Sequence, residues 1–315
     1  MAFKKSVQKF SGKINEVEIG TGQQAIKIGG ENAMPFYSFD GSMGSRPKVG
    51  MEILDIYPDT WSDAFKNIYK DAANDPVTWA KFVIENFNPD FICLKFEGSD
   101  PNGLNKSVEE CAAQAMKIAE AITVPLVIAG TNNHEKDSKI FEKVAQALEG
   151  KNVLLLAAVE ENYKTVGVAG SLAYKHKVGV ESSVDINLAK QLNILMTQLG
   201  IRVEDMVMNV GCAAVGYGFE YVASTMDRIR LAAFGQNDKT LQIPIIAPVS
   251  FEIWTVKESI ASEEEMMDWG SQEERGIAME VSTAASMLVS GANAVILRHP
   301  KSVETVNAFI EEMIG

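Results

Sequence analysis

Cysteine is scarce in this sequence. Cys93, Cys111 and Cys212 are the only three, they lie far apart, and no CxxC occurs. Neither a disulfide framework nor an iron-sulfur cluster held by this chain alone is expected, and reduced thiols in a cytoplasmic protein are the natural reading. Histidine is as sparse, at positions 134, 176 and 299. No stretch approaches the apolar length of a membrane span. The amino terminus, MAFKKSVQKFSGK, is basic but lacks the apolar run of a signal peptide. Basic charge is also in deficit: 29 Lys and Arg face 42 Asp and Glu, for a formal net charge of -13 and a pI near 4.8. The basic footprint of a nucleic-acid binder is missing, and an anionic membrane surface is disfavoured. Phosphate-loop patterns are weak. Gly216–Tyr217–Gly218 is not GxGxxG, and the run from Gly167 to Gly170 has no following lysine.

What is present is a large core and a regular rhythm. The chain has 315 residues, 46% of them hydrophobic. Residues 14–19 and 24–29 read as a hairpin placed before the main fold, in a barrel a plug for the amino-terminal end. Met34–Asp40, MPFYSFD, is the first expected core strand, followed by a long Gly-, Pro- and Ser-rich loop from Gly41 to Thr60 that is either functional or a cover. Further strands are expected to start near residues 91, 125, 153, 178, 206, 243 and 294, with helices between them. Ser107 and Glu110 form a capping box, as do Ser262 and Glu265, and Asp137 is read as a helix cap. Most strands are near-continuous apolar runs, as in parallel strands covered on both faces. Eight such units predict an α/β fold, a (β/α)₈ TIM barrel with an N-terminal β-hairpin and a long loop after the first strand. An open doubly wound sheet is the alternative. One TIM-barrel domain over residues 1–315 is expected, with residues 1–33 as the hairpin extension.

In such a barrel, ligands sit at the carboxyl ends of the strands. Those ends read Asp40, Glu97, Asn132–Asn133–His134, Glu160–Asn162, Glu181–Ser182, Asn209–Gly211–Cys212, Pro248–Ser250 and Arg298–His299. Glu97, Glu160 and Glu181 offer either a catalytic carboxylate pair or partners for Lys95 and Arg298. His134 and His299 offer either a metal site with Glu97 or Cys212, or ordinary strand-end residues. Cys212 is the best placed thiol if it approaches a helix amino terminus, and otherwise a small residue in a crowded turn. Lys95, the nearest candidate for aldolase-type chemistry, is one residue short of the strand's closing phenylalanine. Phe251–Glu274, an acidic excursion carrying Trp254, Trp269, Met266 and Met267, either packs onto the barrel or forms part of a partner interface. The stretch Met206–Tyr221, MVMNVGCAAVGYGFEY, concentrates small residues at a strand end, where a ring system or another backbone can approach closely.

Taken together, MPFYSFDG, RPKVGMEILD, NDPVTWAK, PDFICLKFEGSDP, PLVIAGTNN, NVGCAAVGYGFEY and IPIIAPV resemble the small (delta) subunit of the corrinoid iron-sulfur protein of the acetyl-CoA synthase/CO dehydrogenase pathway. The resemblance runs from the hairpin to the last helix. It implies a cytoplasmic barrel with no catalytic side chains of its own. Its partner would be a large subunit that carries a [4Fe-4S] cluster and a cobalamin-binding domain. Cobalamin would lie between that domain and the barrel mouth, where its cobalt takes a methyl group from methyltetrahydrofolate through a methyltransferase. The methyl group then passes to the nickel cluster of acetyl-CoA synthase. On this reading Asn209, Gly211, Cys212, Ala213 and Ala214 line the corrinoid space. The wider resemblance is to pterin-binding methyltransferase barrels, in which Asp40, Asn132 and Asn209 would be pterin contacts.

Overall fold

A computed structural model describes residues 6–315. Of the basic amino-terminal stretch, residues 1–5 lie outside the described residues. The main sheet is parallel and holds eight strands: β3 (Lys48–Leu54), β4 (Phe91–Lys95), β5 (Leu126–Ala129), β6 (Leu154–Ala158), β7 (Lys177–Glu181), β8 (Met206–Asn209), β9 (Ile246–Ala247) and β10 (Ala294–Leu297). The order runs from β8 down to β3 and then to β10 and β9. A bridge between Met208 and Ile245 joins the two edges and closes the barrel. β9 is short because prolines at 244 and 248 flank it and lack the N–H a ladder needs.

Helices follow the strands: α1 (Asp63–Tyr69), α2 (Pro76–Phe87), α3 (Val108–Ala121), α4 (His134–Ala147), α5 (Tyr163–Gly167), α6 (Ile186–Gln198), α7 (Phe219–Gly235), α8 (Val249–Ile253), α9 (Lys257–Ile260), α10 (Gln272–Val289) and α11 (Pro300–Ile314). The expected capping box opens α3, with both Ser107–Glu110 bonds formed. The reciprocal Ser262–Glu265 bonds also form, but the chain makes only a turn there.

Side chains alternate across each strand. Phe91 and Cys93, Val127 and Ala129, Leu154 and Leu156, Val207, and Ala294 and Ile296 form one buried cluster inside the barrel. The antiparallel hairpin β1 (Glu16–Ile19) and β2 (Ile26–Gly29) adds Val17, Ile19 and Ile28 to that cluster, so it plugs one end as expected. The larger cluster packs the outer strand faces against the helices. Beneath the barrel Arg230, fully buried, donates to Ile243 O and to Asn293 Oδ1 at 3.2 and 2.7 Å. Asn293 Nδ2 in turn donates to Glu31 at 2.8 Å, tying the chain after the hairpin to the barrel floor.

Two sequence expectations fail here. Residues 34–40 are turns, not a strand: Phe36 has φ 61, and Tyr37 N and Asp40 N close tight turns onto Met34 O and Tyr37 O. The first barrel strand is Lys48–Leu54, inside the stretch read as a loop. Glu52 in its middle concealed it, because a charged residue is almost never fully buried unless paired. Gly50 is required there: a Cβ would stand 2.1 Å from the Phe91 ring. The second correction concerns α4. Asn133 caps it by accepting from Lys136 N, whereas Asp137 lies one turn in, buried, and takes Thr131 N and Oγ1 at 2.7 and 2.9 Å.

Candidate functional site at the barrel mouth

Continuing the inward alternation toward the carboxyl end changes the chemistry from apolar to polar. Glu52, Lys95, Thr131, Glu181, Asn209 and Arg298 make up this last inward layer. Apart from Thr131, which donates to Asp137, they fall into two groups.

The first group lies on β10, β3 and β4. Arg298 clasps Glu52 with Nε and Nη2 at 3.1 and 3.2 Å, and both side chains are buried. Burial pushes the Glu52 carboxyl up, but Arg298 and Lys95 outweigh it and hold it below its ordinary range. The Arg298 guanidinium lies 4.1 Å from the centroid of the Trp61 ring. Behind it Glu280, fully buried on α10, accepts from Trp254 Nε1 at 2.9 Å, Arg298 N at 2.7 Å and His299 N at 3.1 Å. Burial raises the Glu280 carboxyl despite these donors. Tyr69 OH donates to Arg298 O at 2.7 Å. A cleft of about 500 Å³ opens over this group, walled by Trp61, Phe251, Trp254, Lys95, Asn132 and Arg298 among others.

The second group lies on β7 and β8. Asn209 Nδ2 donates to Glu181 Oε2 at 2.9 Å, and its Oδ1 accepts from Gly211 N at 3.0 Å. Burial raises the Glu181 carboxyl. Gly211 has φ +83, a conformation that favours glycine, and an added Cβ would meet Val184 at 3.2 Å. Cys212 and Ala213 are half-buried and Ala214 is buried. Ser182 beside them has a buried hydroxyl with no hydrogen-bond partner among the described residues.

The structure thus brings Asn209, Gly211, Cys212, Ala213 and Ala214 together at the mouth, on the side away from the large cleft. Of the residues singled out in the sequence as cofactor contacts, Asn132 alone lines that cleft; it is exposed, with φ 69. Asp40 is not at the mouth. It precedes the first strand, accepts from Gln8 N, and belongs to a turn whose Phe36 packs on Phe309 near the end of α11, at the amino-terminal end of the barrel. Cys212 is no activated thiol: α7 begins seven residues later, and burial, with Glu252 nearby, pushes its pKa up to about 12.

His134 is exposed at the start of α4, while His299 is buried, caps α11 through Nδ1 and meets Glu273 at 3.1 Å. His176 lies elsewhere, fully buried between Val153 N and Ala145 O. Among the described residues no group of three or more His, Cys, Asp or Glu side chains is arranged to hold a metal ion. Nor is any described helix long and apolar enough to cross a membrane. Glu97 pairs with Lys95 at 3.6 Å, and Glu160 is exposed. Trp254 packs into the barrel as one reading of the excursion expected, whereas Met267 is 83% exposed. Sequence reasoning missed Glu52 and Glu280; the parity of the strand VGMEIL was the available signal for Glu52.

Residues 16–307 match the family model for the CO dehydrogenase/acetyl-CoA synthase delta subunit. The chain belongs to that family. Among its relatives, the acetyl-CoA decarbonylase/synthase complex subunit delta 1 of Methanosarcina thermophila is 31% identical, over 98% of this chain and 73% of the relative. Subunit delta of Methanothermobacter thermautotrophicus is 30% identical over 96% and 76%. The fold of this delta-subunit family member is shared with dihydropteroate synthases. That of Xanthomonas albilineans superposes with a TM-score of 0.57 at 13% identity, covering 95% of this chain and 97% of the other. That of Vibrio fischeri gives 0.56 at 12%, covering 94% and 99%.

Proposed function

We propose that this chain is the barrel subunit of a two-subunit methyl carrier, and that its mouth shields a corrinoid held at the interface with a larger partner. Membership of the delta-subunit family over residues 16–307 carries this reading. The mouth supports it. A corrin macrocycle is broad and fringed with amides, so it needs a rim without long side chains and with a few polar groups. The segment from Gly211 to Ala214 supplies the first: Asn209 Oδ1 holds Gly211 N, and only the half-buried Cys212 thiol and Ala213 methyl reach the surface of the turn, Ala214 being buried beneath it. The exposed Asn132 amide supplies a polar contact across the mouth. A bound corrinoid supplies a cobalt centre that accepts and donates a methyl group. This chain's residues position it and exclude water. An iron-sulfur cluster does not fit here, because Cys93 is on β4, Cys111 on α3 and Cys212 in the mouth turn, the first two buried. The [4Fe-4S] cluster is therefore assigned to the large subunit.

On this reading a methyltransferase delivers the methyl group from methyltetrahydrofolate, and acetyl-CoA synthase receives it. Exposed Ile260, Met267, Tyr217 and Tyr221 are the apolar residues a partner would cover. The pterin reading loses Asp40, which is at the opposite end, and Asn209 already spends one hydrogen bond at each end of its amide within the chain.

The test is co-expression with the large corrinoid subunit, followed by cobalt analysis of the purified pair. Gly211 is a poor probe, since any side chain there strains the backbone. Ala213→Trp is expected to lower retained cobalt severalfold while the isolated chain still melts cooperatively. Unchanged cobalt would count against the reading. Tight methyltetrahydrofolate binding by the isolated chain, with no corrinoid partner captured, would replace it with the pterin one.

A further inference from the structure

The cleft beside β4 and β10 holds a feature that the proposed shielding does not use. Glu52 sits on β3 between the strands that carry Lys95 and Arg298. Its carboxylate is fully buried and clasped by Arg298 Nε and Nη2, with one hydrogen bond to each oxygen. Two donors are left over on the cleft wall. Arg298, 6% exposed, has no hydrogen bond from Nη1 among the described residues. Lys95 Nζ makes no hydrogen bond among the described residues either. Its ion-pair partner Glu97 stands 3.6 Å away, beyond hydrogen-bond reach, and the ammonium lies 4.9 Å over the Phe251 ring. Both donors reach the water of the cleft, and an entering oxyanion would replace that water with a charged acceptor shared by the two. Trp61, Trp254 and Phe251 wall the same cleft, and its volume of about 500 Å³ suits a small molecule.

We infer that Lys95 and Arg298 form an oxyanion subsite that takes the carboxylate or phosphate group of a ring-bearing small molecule. The ring lies against the aromatic wall, and the oxyanion bridges Lys95 Nζ and Arg298 Nη1. The chain's charge of -13 opposes a free anion at long range, so an isolated oxyanion binds weakly, in the millimolar range. This subsite does not depend on the corrinoid reading.

The test titrates the full chain with inorganic phosphate and, separately, with benzoate at low ionic strength. Binding is read from tryptophan fluorescence and by calorimetry. At least one probe is expected to saturate. Saturation by phosphate alone assigns a phosphate ester, by benzoate alone an aromatic carboxylate, and by both the shared oxyanion chemistry. Lys95→Gln should weaken binding about tenfold, and Lys95→Arg should restore it. Lys301→Gln, at a surface lysine paired with Glu304, should change nothing. Arg298 is left intact because its loss would strand Glu52. If neither probe saturates with the wild-type chain, or if Lys95→Gln binds as the wild type does, the subsite does not exist.

Discussion

The two sides of the barrel mouth are built on opposite terms. On the β10–β3 side the buried Glu52 and Glu280 are clasped or surrounded by donors, Arg298 on Glu52, Trp254 and two backbone amides on Glu280, and Tyr69 holds the backbone of Arg298. On the β8–β7 side a single amide, Asn209, holds one carboxyl and one backbone N–H, and residues 211–214 beyond it carry side chains no larger than a thiol. The first arrangement fixes geometry, because removing any member leaves a buried group unpaired. The second leaves space. On the proposed reading, shielding a corrinoid uses both, a rigid wall and an unfilled one.

Glu52→Ala should give the largest effect, since it strands the Arg298 guanidinium. A loss of about 3–5 kcal/mol in urea unfolding is expected, and a loss under about 1 kcal/mol would show that the clasped side is not rigid. The pH dependence follows from the depressed Glu52 carboxyl. Its stabilisation is full above the ordinary carboxylate pKa of the unfolded chain and disappears as pH falls through the lower folded value.

Glu280→Gln should come next, at about 1–3 kcal/mol, because an amide NH₂ would be turned toward a backbone donor. Glu280 also titrates with the opposite sign. Its folded pKa is raised, so ionisation penalises the native state, and stability falls as pH rises from the unfolded value toward the folded one. That slope should be absent in the Gln variant when unfolding is followed between mildly acidic and neutral pH.

Asn209→Ala is expected to cost less, about 1–2 kcal/mol, and to speed amide hydrogen exchange in residues 210–218. An effect as large as that of Glu52→Ala would erase the contrast between the two sides. Ala213→Ser should be smallest, within about 0.5 kcal/mol by thermal melting.

Much of this arrangement was readable before the structure. Seven of the eight βα units, the hairpin plug and the small residues after β8 follow from apolar runs, turn residues and spacing. What failed did so for local reasons. MPFYSFD has the aromatic content of a strand, yet Phe36 takes a positive φ and the segment folds as turns. KVGMEIL contains a glycine and a glutamate that look solvated, but Gly50 admits the Phe91 ring and Glu52 is neutralised by a residue 246 positions away. Asp137 has the look of a cap, but Asn133 takes that role and Asp137 instead braces the preceding loop. Glu280 could not be found from local pattern, because its donors come from a different helix and the end of the last strand. Position along the chain identifies a strand end; the pairing of two strand ends is a property of the closed barrel.

The most direct test of the proposed role is the cobalt content of the co-purified pair, measured for the wild-type chain and for Ala213→Trp. Cobalt is expected in the wild-type pair and severalfold less in the variant pair, with cooperative melting of both isolated chains. Equal cobalt in the two pairs would contradict the proposed role.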